Sequence, residues 1–380
     1  MTLVAVTDRQ AYKDSRSIVK VTDANYKTFK RLRVSRSIDD VCGEFKITIS
    51  RPVKSQSPFK IGNTIDIQLN ENQIMRGRIY TTSLEGDAFS DDITIAGRDI
   101  TGDLIDSTVP DDSKVYSEGV NIFDIAGKII RSMGLSNQIG VINSSGSKIE
   151  PFTEEEIVAC KTGQTAISFL QKYCRKRQLF LNTDNVGNLV FFKAAGIKTG
   201  NNLINLFSDS AGSNRNNVID YRTKYDISSR FGLYTCKAQS ADGWGNNEVD
   251  AEGSTVDLSI TGHRVLEIKM EEESSSSAEC KKRAQEESNV RRARGFEYRV
   301  VVQGFGDRLL WGTNQFVTVR DERSGISGEF LIKAVKYKID NSKGRTTKLT
   351  ITNKDAYTTQ AAISLRDAQQ SDAGLGWIND

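Results

Sequence analysis

The sequence predicts a mainly β protein with α+β insertions, in which two similar antiparallel β-barrels flank smaller mixed α/β domains. Three observations predict it. Both ends of the chain alternate apolar and polar residues with period two, the middle switches to a helical period, and the two ends repeat one another strand for strand. A length of 380 residues exceeds one small core and fits roughly two to four domains.

The first hundred residues carry Phe45-Lys46-Ile47-Thr48-Ile49, Ile65-Asp66-Ile67-Gln68-Leu69 and Ile93-Thr94-Ile95, with turn signals at Gly62-Asn63, Asn70-Glu71-Asn72 and Glu85-Gly86-Asp87. Such spacing predicts a small antiparallel barrel over residues 1–105, N-terminal extension included. The period then changes. Ile122, Phe123, Ile125, Ala126, Ile129 and Ile130 fall on one helical stripe that ends at Gly134, a C-terminal glycine cap. A second helix starts near Thr162, and a hairpin follows from Leu179 to Phe192 with its turn at Asp184 to Asn188. The mixed region spans 106–217 and closes with a Gly-, Asn- and Ser-rich connector from about residue 196. Residues 218–295 read as a β segment with a surface loop near 239–256 and an exposed helix, AECKKRAQEESNVRRARG, charged almost all round. Alternation returns over 296–357, and 358–380 is a polar tail.

The repeat pairs FKITIS, KIGNTIDIQL, GRIYTTSL and DDITIAGRD with YRVVVQG, LLWGTNQFVTV, EFLIKAVKYKI and TKLTITNKD, so that Asp99 matches Asp355. Three copies of a chain with two similar barrels would place six similar units around one axis, a pseudo-sixfold ring built from threefold parts. The strands around Ile65, Ile67 and Leu69 and around Phe316, Val317 and Val319 are the candidate oligomer interfaces.

Composition excludes several functions. A net charge of +3 lacks the basic excess of a nucleic-acid binder. No apolar run reaches eighteen residues, so no membrane insertion is expected, and MTLVAVTDRQAYKD does not read as a signal peptide. The five cysteines (Cys42, Cys160, Cys174, Cys236, Cys280) are odd in number and scattered, which predicts reduced thiols. The single histidine, His263, argues against zinc; no metal, cofactor or catalytic residue is predicted.

Several motifs imitate sites. Ser145-x-x-Lys148 and Lys161-Thr162-Gly163 have the wrong order and spacing for a penicillin-binding serine enzyme. Gly304-x-Gly306 lacks the Gly-Lys-Ser/Thr of a phosphate loop and reads as a turn. Asp111-Asp112 and Glu154-Glu155-Glu156 look solvated, whereas sugar hydrolysis needs one acid in an apolar pocket. Lys172, Arg175, Lys176 and Arg177 read as compensation of a helix C-terminal dipole. Gly97, Arg98, Asp99, Gly102 and Asp103 form a structural junction motif: Gly97 permits a tight exit from the barrel, and Arg and Asp at this spacing can pin the strand to the following loop.

ITIAGRDITGDLIDST (93–108) closely resembles the segment closing the first barrel of Mu-like contractile phage tail baseplate hubs, relatives of late control D and type VI spike-base hubs. VSRSIDDVCGEFKI resembles that family's early strand pair, and ISFLQKYCRKRQLFLNTDNVGNLVFFKAA its middle helix and hairpin. The likeness runs over about residues 17–357; the N-terminus is longer and the tail does not match. It implies a homotrimeric hub between the tail tube protein and the central spike protein, touching other baseplate proteins and the tape-measure protein, with only non-specific passage of DNA. It further implies a virion location after assembly in the bacterial host cytoplasm. The rival readings are a type VI-like spike base, a tail-associated cell-wall hydrolase, and a carbohydrate-binding sandwich, for which Trp244, Trp311 and Trp377 are too dispersed to form a platform.

Overall fold

The computed structural model describes residues 12–13, 18–21, 24–26, 28–50, 59–87, 91–117, 119–146, 148–153, 156, 158–177, 179–193, 197–207, 216–239, 249–270, 276–306, 309–340, 344–354 and 357. Asp355, Trp244, Trp377, Glu154, Glu155 and the tail 358–380 lie outside the described residues.

A 13-stranded sheet dominates, built from two six-strand runs of the same order and one further strand, Ala24–Tyr26, on the edge of Ile18–Val21. In the first, Arg31–Ser37, Glu44–Ser50, Asp91–Asp99, Asn72–Gly86, Thr64–Leu69 and Ile18–Val21 lie side by side, all antiparallel. In the second, Val218–Tyr225, Phe296–Gln303, Gly344–Asn353, Ile326–Asp340, Gln315–Asp321 and Ile197–Asn205 follow the same order, with only the last pair parallel. Even the irregularity repeats. Register slips between Ile79 and Thr81 against Asp91–Asp99, and between Ile332 and Ala334 against Gly344–Asn353. Ile79 and Ile332 are matching positions of the repeated segments. A bulge at the same place in both halves bends both long strands alike.

The expectation of two separate barrels needs correction. Ile326–Asp340 is fifteen residues long, and its second half pairs with Gly344–Asn353 on one edge and with Arg31–Ser37 on the other. The halves are thereby joined in one sheet, and among the described residues no ladder closes either run into a barrel. In the second run, asparagines bridge the gap. Asn217 N donates to Ile204 O at 3.1 Å, Ile204 N to Asn217 Oδ1 at 3.0 Å, and Asn217 Nδ2 to Asn202 O at 2.7 Å. These side chains satisfy backbone groups that a further strand would otherwise occupy. The same strand, Ile197–Asn205, replaces the connector expected from about residue 196, and Val249–Val256 replaces part of the expected surface loop.

Alternation places Ile47, Ile65, Ile67, Ile79 and Ile95 in one core with Val300, Val317, Val319, Leu349 and Ile351. Each such side chain contributes about 1.5–3 kcal/mol by leaving water. This burial corrects the interface candidates. Ile65, Ile67 and Leu69 are wholly buried, as are Val317 and Val319, while Phe316 is half-buried against a small cluster with Phe192 and Leu331. The apolar period-two face points into the protein's own core, so it is spent on folding.

The mixed region has its own core around α1 (Gly102–Asp106), α2 (Ile122–Ser132) and α3 (Ala166–Lys176). Asn121 caps α2 by accepting from Phe123 N and Asp124 N, and Gly134, at φ 70°, ends it. Thr165 caps α3. Strands Phe180–Thr183 and Leu189–Phe192 form the hairpin, and Val141–Ser144 adds to it in parallel.

A three-stranded sheet, Val249–Val256, Leu233–Gln239 and Val265–Lys269, carries the last helix, α4 (Ser277–Gly295). Ser276 and Glu279 form a capping box at its start. The helix is not exposed all round: Cys280, Ala284, Ser288 and Ala293 are buried. Small residues make this seam because the backbones approach closely. A Cβ on Gly253 would lie 2.2 Å from Lys281 N and 2.7 Å from Ser277 O. Gly253→Ala therefore forces α4 off the sheet and is expected to cost about 3 kcal/mol. A urea midpoint unchanged from that of the parent protein would show that the contact is not tight.

Candidate functional site: the Gly97–Asp103 junction

Strand Asp91–Asp99 runs into α1 through the predicted motif, but its charges pair differently from the expectation. Arg98 pairs with Asp106 at the surface of α1 and lies 4.9 Å over the Tyr80 ring. Asp103 takes Arg78, at 2.9 Å. Asp99 reaches back to strand Arg31–Ser37, where Arg36 Nη2 donates to its Oδ1 at 2.7 Å and Gly43 N donates to its Oδ2 at 2.6 Å. Arg98 and Asp103 are thus not partners. Gly97 has no positive φ; it is needed because a Cβ there would meet Arg78 O at 1.9 Å and the Phe45 ring at 2.8 Å. Gly102 opens α1 under the Tyr80 hydroxyl, 2.7 Å from where a Cβ would stand.

Arg36 is the residue that sequence reasoning missed. It sits inside a strand like any exposed arginine, and its partners are 38 to 148 positions away. Besides Asp99, its guanidinium donates to the carbonyls of Ile74, Thr183 and Asp184. It therefore ties the first half of the large sheet to the hairpin of the mixed region. Thr183 Oγ1 donates to Val41 O at 2.8 Å and touches Thr101 Oγ1, Cys42 Sγ lies 3.1 Å from Thr101 Oγ1, and Asn182 Nδ2 donates to Ser37 O at 2.9 Å.

The Asp99 carboxyl is wholly buried, with Arg36 at 9 % exposure. Burial pushes the Asp99 pKa up to about 6 against the opposing pull of Arg36 and the Gly43 N–H. Burial likewise pushes the Cys42 thiol up to about 12, which leaves it inert. A cleft of about 330 Å³ opens beside Arg36, lined also by Thr183, Phe192, Trp311 and Tyr337. Among the described residues Asp184 is the one carboxylate of its lining.

The imitating motifs also have structural partners. Glu156 accepts from both guanidinium nitrogens of Arg177, at 2.8 and 2.6 Å, and Arg177 lies 4.5 Å over the Phe152 ring. Lys172 lies 5.0 Å over Tyr173, while Arg175 and Lys176 occupy the last turn of α3. Asp111 pairs with Lys114, and Asp112 Oδ2 accepts from Ser132 at 2.9 Å. Ser145 donates to Asn143 Oδ1 at 2.6 Å, and Lys148 is turned to Glu150. Gly304 and Gly306 have φ of 71° and 119°, as a turn requires.

Three family models match successive stretches of the chain. The N-terminal model of Mu phage baseplate assembly protein GpP-like matches 18–99, the second-domain model of baseplate hub protein gp44-like matches 101–193, and the fourth-domain model of GpP matches 276–360. The chain belongs to the Mu-like phage baseplate hub family. As a baseplate hub protein of a Mu-like phage it is a component of the virion tail. It is 24 % identical over 334 residues to the baseplate hub protein gp44 of Escherichia phage Mu, across 84 % of this chain and 82 % of that one. The fold of a 43 kDa tail protein from prophage MuSo2 of Shewanella oneidensis is similar, with a TM-score of 0.76, 24 % identity, and coverage of 90 % of this chain and 99 % of that one. A component of the type VI secretion system from E. coli shares the fold at a TM-score of 0.56 and 11 % identity, over 88 % of this chain and 76 % of its own.

Two outcomes follow for the hub. Arg36→Ala leaves a buried carboxylate without its cation and is expected to cost about 3–5 kcal/mol, whereas Arg98→Ala removes a surface pair worth about 0–1 kcal/mol. Urea melts of the two variants decide the order. The second outcome concerns pH. A folded pKa of about 6 lies above the ordinary aspartate value of 3.8, so the folded state holds the Asp99 proton more tightly. The Asp99 contribution to stability is then greatest below about pH 4 and falls as pH rises through about 6. Replacement by Asn should remove that segment of the stability–pH curve, and a curve of unchanged shape would refute the assignment.

Proposed function

We propose that this hub is a homotrimer that joins the sixfold tail tube to the threefold central spike and leaves a channel for DNA after sheath contraction. The repeat carries the reading. Two six-strand runs with the same order and the same bulge are fused in one chain, so three copies hold six equivalent units. Such a ring can present near-sixfold contacts on one side and threefold contacts on the other. Its work is mechanical, since large interfaces hold the ring while the sheath moves. The Gly97, Arg98, Asp99, Gly102 and Asp103 segment serves as a structural junction, with Asp99 the member that ties units together. Tube, spike, other baseplate proteins and tape-measure protein are the partners, assembly takes place in the host cytoplasm, and DNA passes without sequence reading.

The type VI-like spike base is the second reading, favoured by the shared fold of the E. coli secretion component. A phage-tail pull-down that recovers tube and spike supports the first reading. Light scattering after size exclusion should give three times the mass of the chain, stable on dilution. A monomer that persists with purified tube and spike added would overturn the trimeric hub, and turnover of peptidoglycan by the pure protein would move the chain to the hydrolase class.

A further inference from the structure

The internal repeat specifies where one copy meets the next. In the second half, the long strand Ile326–Asp340 carries Arg31–Ser37 on its outer edge, from Ala334 to Asp340. Arg31–Ser37 is the first strand of the first half, and its counterpart in the second half is Val218–Tyr225. The counterpart of Ala334 onward, counted from the shared bulge, is Thr81 onward in Asn72–Gly86. Yet Thr81–Gly86 pairs only with Asp91–Asp99, and Val218–Tyr225 only with Phe296–Gln303, among the described residues. Each half therefore lacks what the other would supply: a first strand without a long strand to lie on, and a long strand without a first strand. Within one chain that junction is made once, with the roles filled by Arg31–Ser37 and Ile326–Asp340.

We propose that Val218–Tyr225 of one copy adds antiparallel to Thr81–Gly86 of the next, which rests on the trimeric reading above and names its contact. Register transfers directly. Lys338 faces Arg33 and Tyr337 faces Val34 in the junction within the chain. The same offsets set Glu85 opposite Arg222 and Leu84 opposite Thr223, with Gly86 opposite Tyr221 and Thr82 opposite Tyr225. A like-charged pair within the chain thus becomes an acid–base pair between chains, the pattern that favours cross-strand pairing. Both strands also expose apolar side chains: Ile219 at 57 %, Leu84 at 56 %, and Tyr225 at 55 % although its ring lies 5.2 Å from that of Phe296. Open edges of this kind invite addition of another strand. The contact is head-to-tail, so each copy offers one strand of each type and the series closes as a ring.

Charge exchange and cross-linking test it on the full chain. Arg222→Glu should weaken association about tenfold or more by facing Glu85 with a like charge, and Glu85→Arg in the same chain should restore it, both read as native mass against dilution. Leu84→Cys with Thr223→Cys should yield covalent dimers and trimers on oxidation, and neither single variant should. Leu84, Glu85 and Arg222 are exposed and Thr223 is half-buried, so folding of each variant is checked by an unchanged melt of the monomeric fraction. A trimer untouched by Arg222→Glu, together with no Leu84→Cys/Thr223→Cys product, would overturn this contact and leave the trimeric hub standing. A parent protein that never trimerises defeats the hub reading itself, whatever the variants do.

Discussion

Strand Ile326–Asp340 is bonded on both edges over its second half, to Gly344–Asn353 on one side and Arg31–Ser37 on the other. Nearly everything else depends on that double pairing. It turns two repeats into one sheet and lets Ile47 and Val300, at matching positions of the two halves, share a core. The bulge between Ile332 and Ala334 lets one long strand serve two neighbours along its length, Gln315–Asp321 first and Arg31–Ser37 after. Fifteen residues suffice because a strand advances about 3.3 Å per residue, which leaves room for two partners in succession on one edge.

The mixed region is attached by a small apolar cluster, in which Phe180, Val190 and Phe192 of its hairpin meet Phe316 and Leu331 of the large sheet, and by a set of buried polar contacts. Arg36, Asp99, Thr101 and Thr183 form a small buried network in which nearly every donor is directed at a named acceptor. Fully satisfied networks fix orientation, because any slip leaves a buried group unpaired. The cost is visible in Asp99, whose carboxyl is held at about 6 by burial despite a guanidinium at 2.7 Å.

The strands and helices were legible because period two and period 3.6 are local signals, as in Ile65-Asp66-Ile67 and the Ile122–Ile130 stripe. What was not legible is who pairs with whom. Ile197–Asn205 was read as a connector because its partner, Gln315–Asp321, lies more than a hundred residues away and runs parallel to it. The helix α4 was read as exposed because its buried seam is Cys280, Ala284, Ser288 and Ala293, which have little apolar signature, and the matching glycine is in another strand. At the junction the motif was found but its wiring was not. Gly97 looked like a turn glycine and is a close-approach glycine, while Asp99 looked like a local partner for Arg98 and is bound to Arg36, 63 positions away. The interface candidates failed for a related reason: alternation marks the face a strand buries, and in a monomeric core that face is already taken.

An internal repeat usually hides its own seams, since each unit covers the next. Here the covering is incomplete in a lawful way. One first strand is placed on one long strand, and the equivalent pair is left unpaired among the described residues: Val218–Tyr225 at one end of the sheet, and the overhanging second half of Asn72–Gly86 inside the order of the other half. A monomeric protein gains nothing from two exposed edges, and natural sheets usually blunt them with charge, proline or a covering loop. Asp220, Arg222 and Lys224 do put charge on Val218–Tyr225, but they alternate with Ile219, Tyr221 and Tyr225, so one face of that strand stays apolar. Charge on one face and apolar surface on the other is the pattern of a strand that has a specific neighbour, not of one that must avoid all neighbours. These two edges are what the proposed contact between copies would cover.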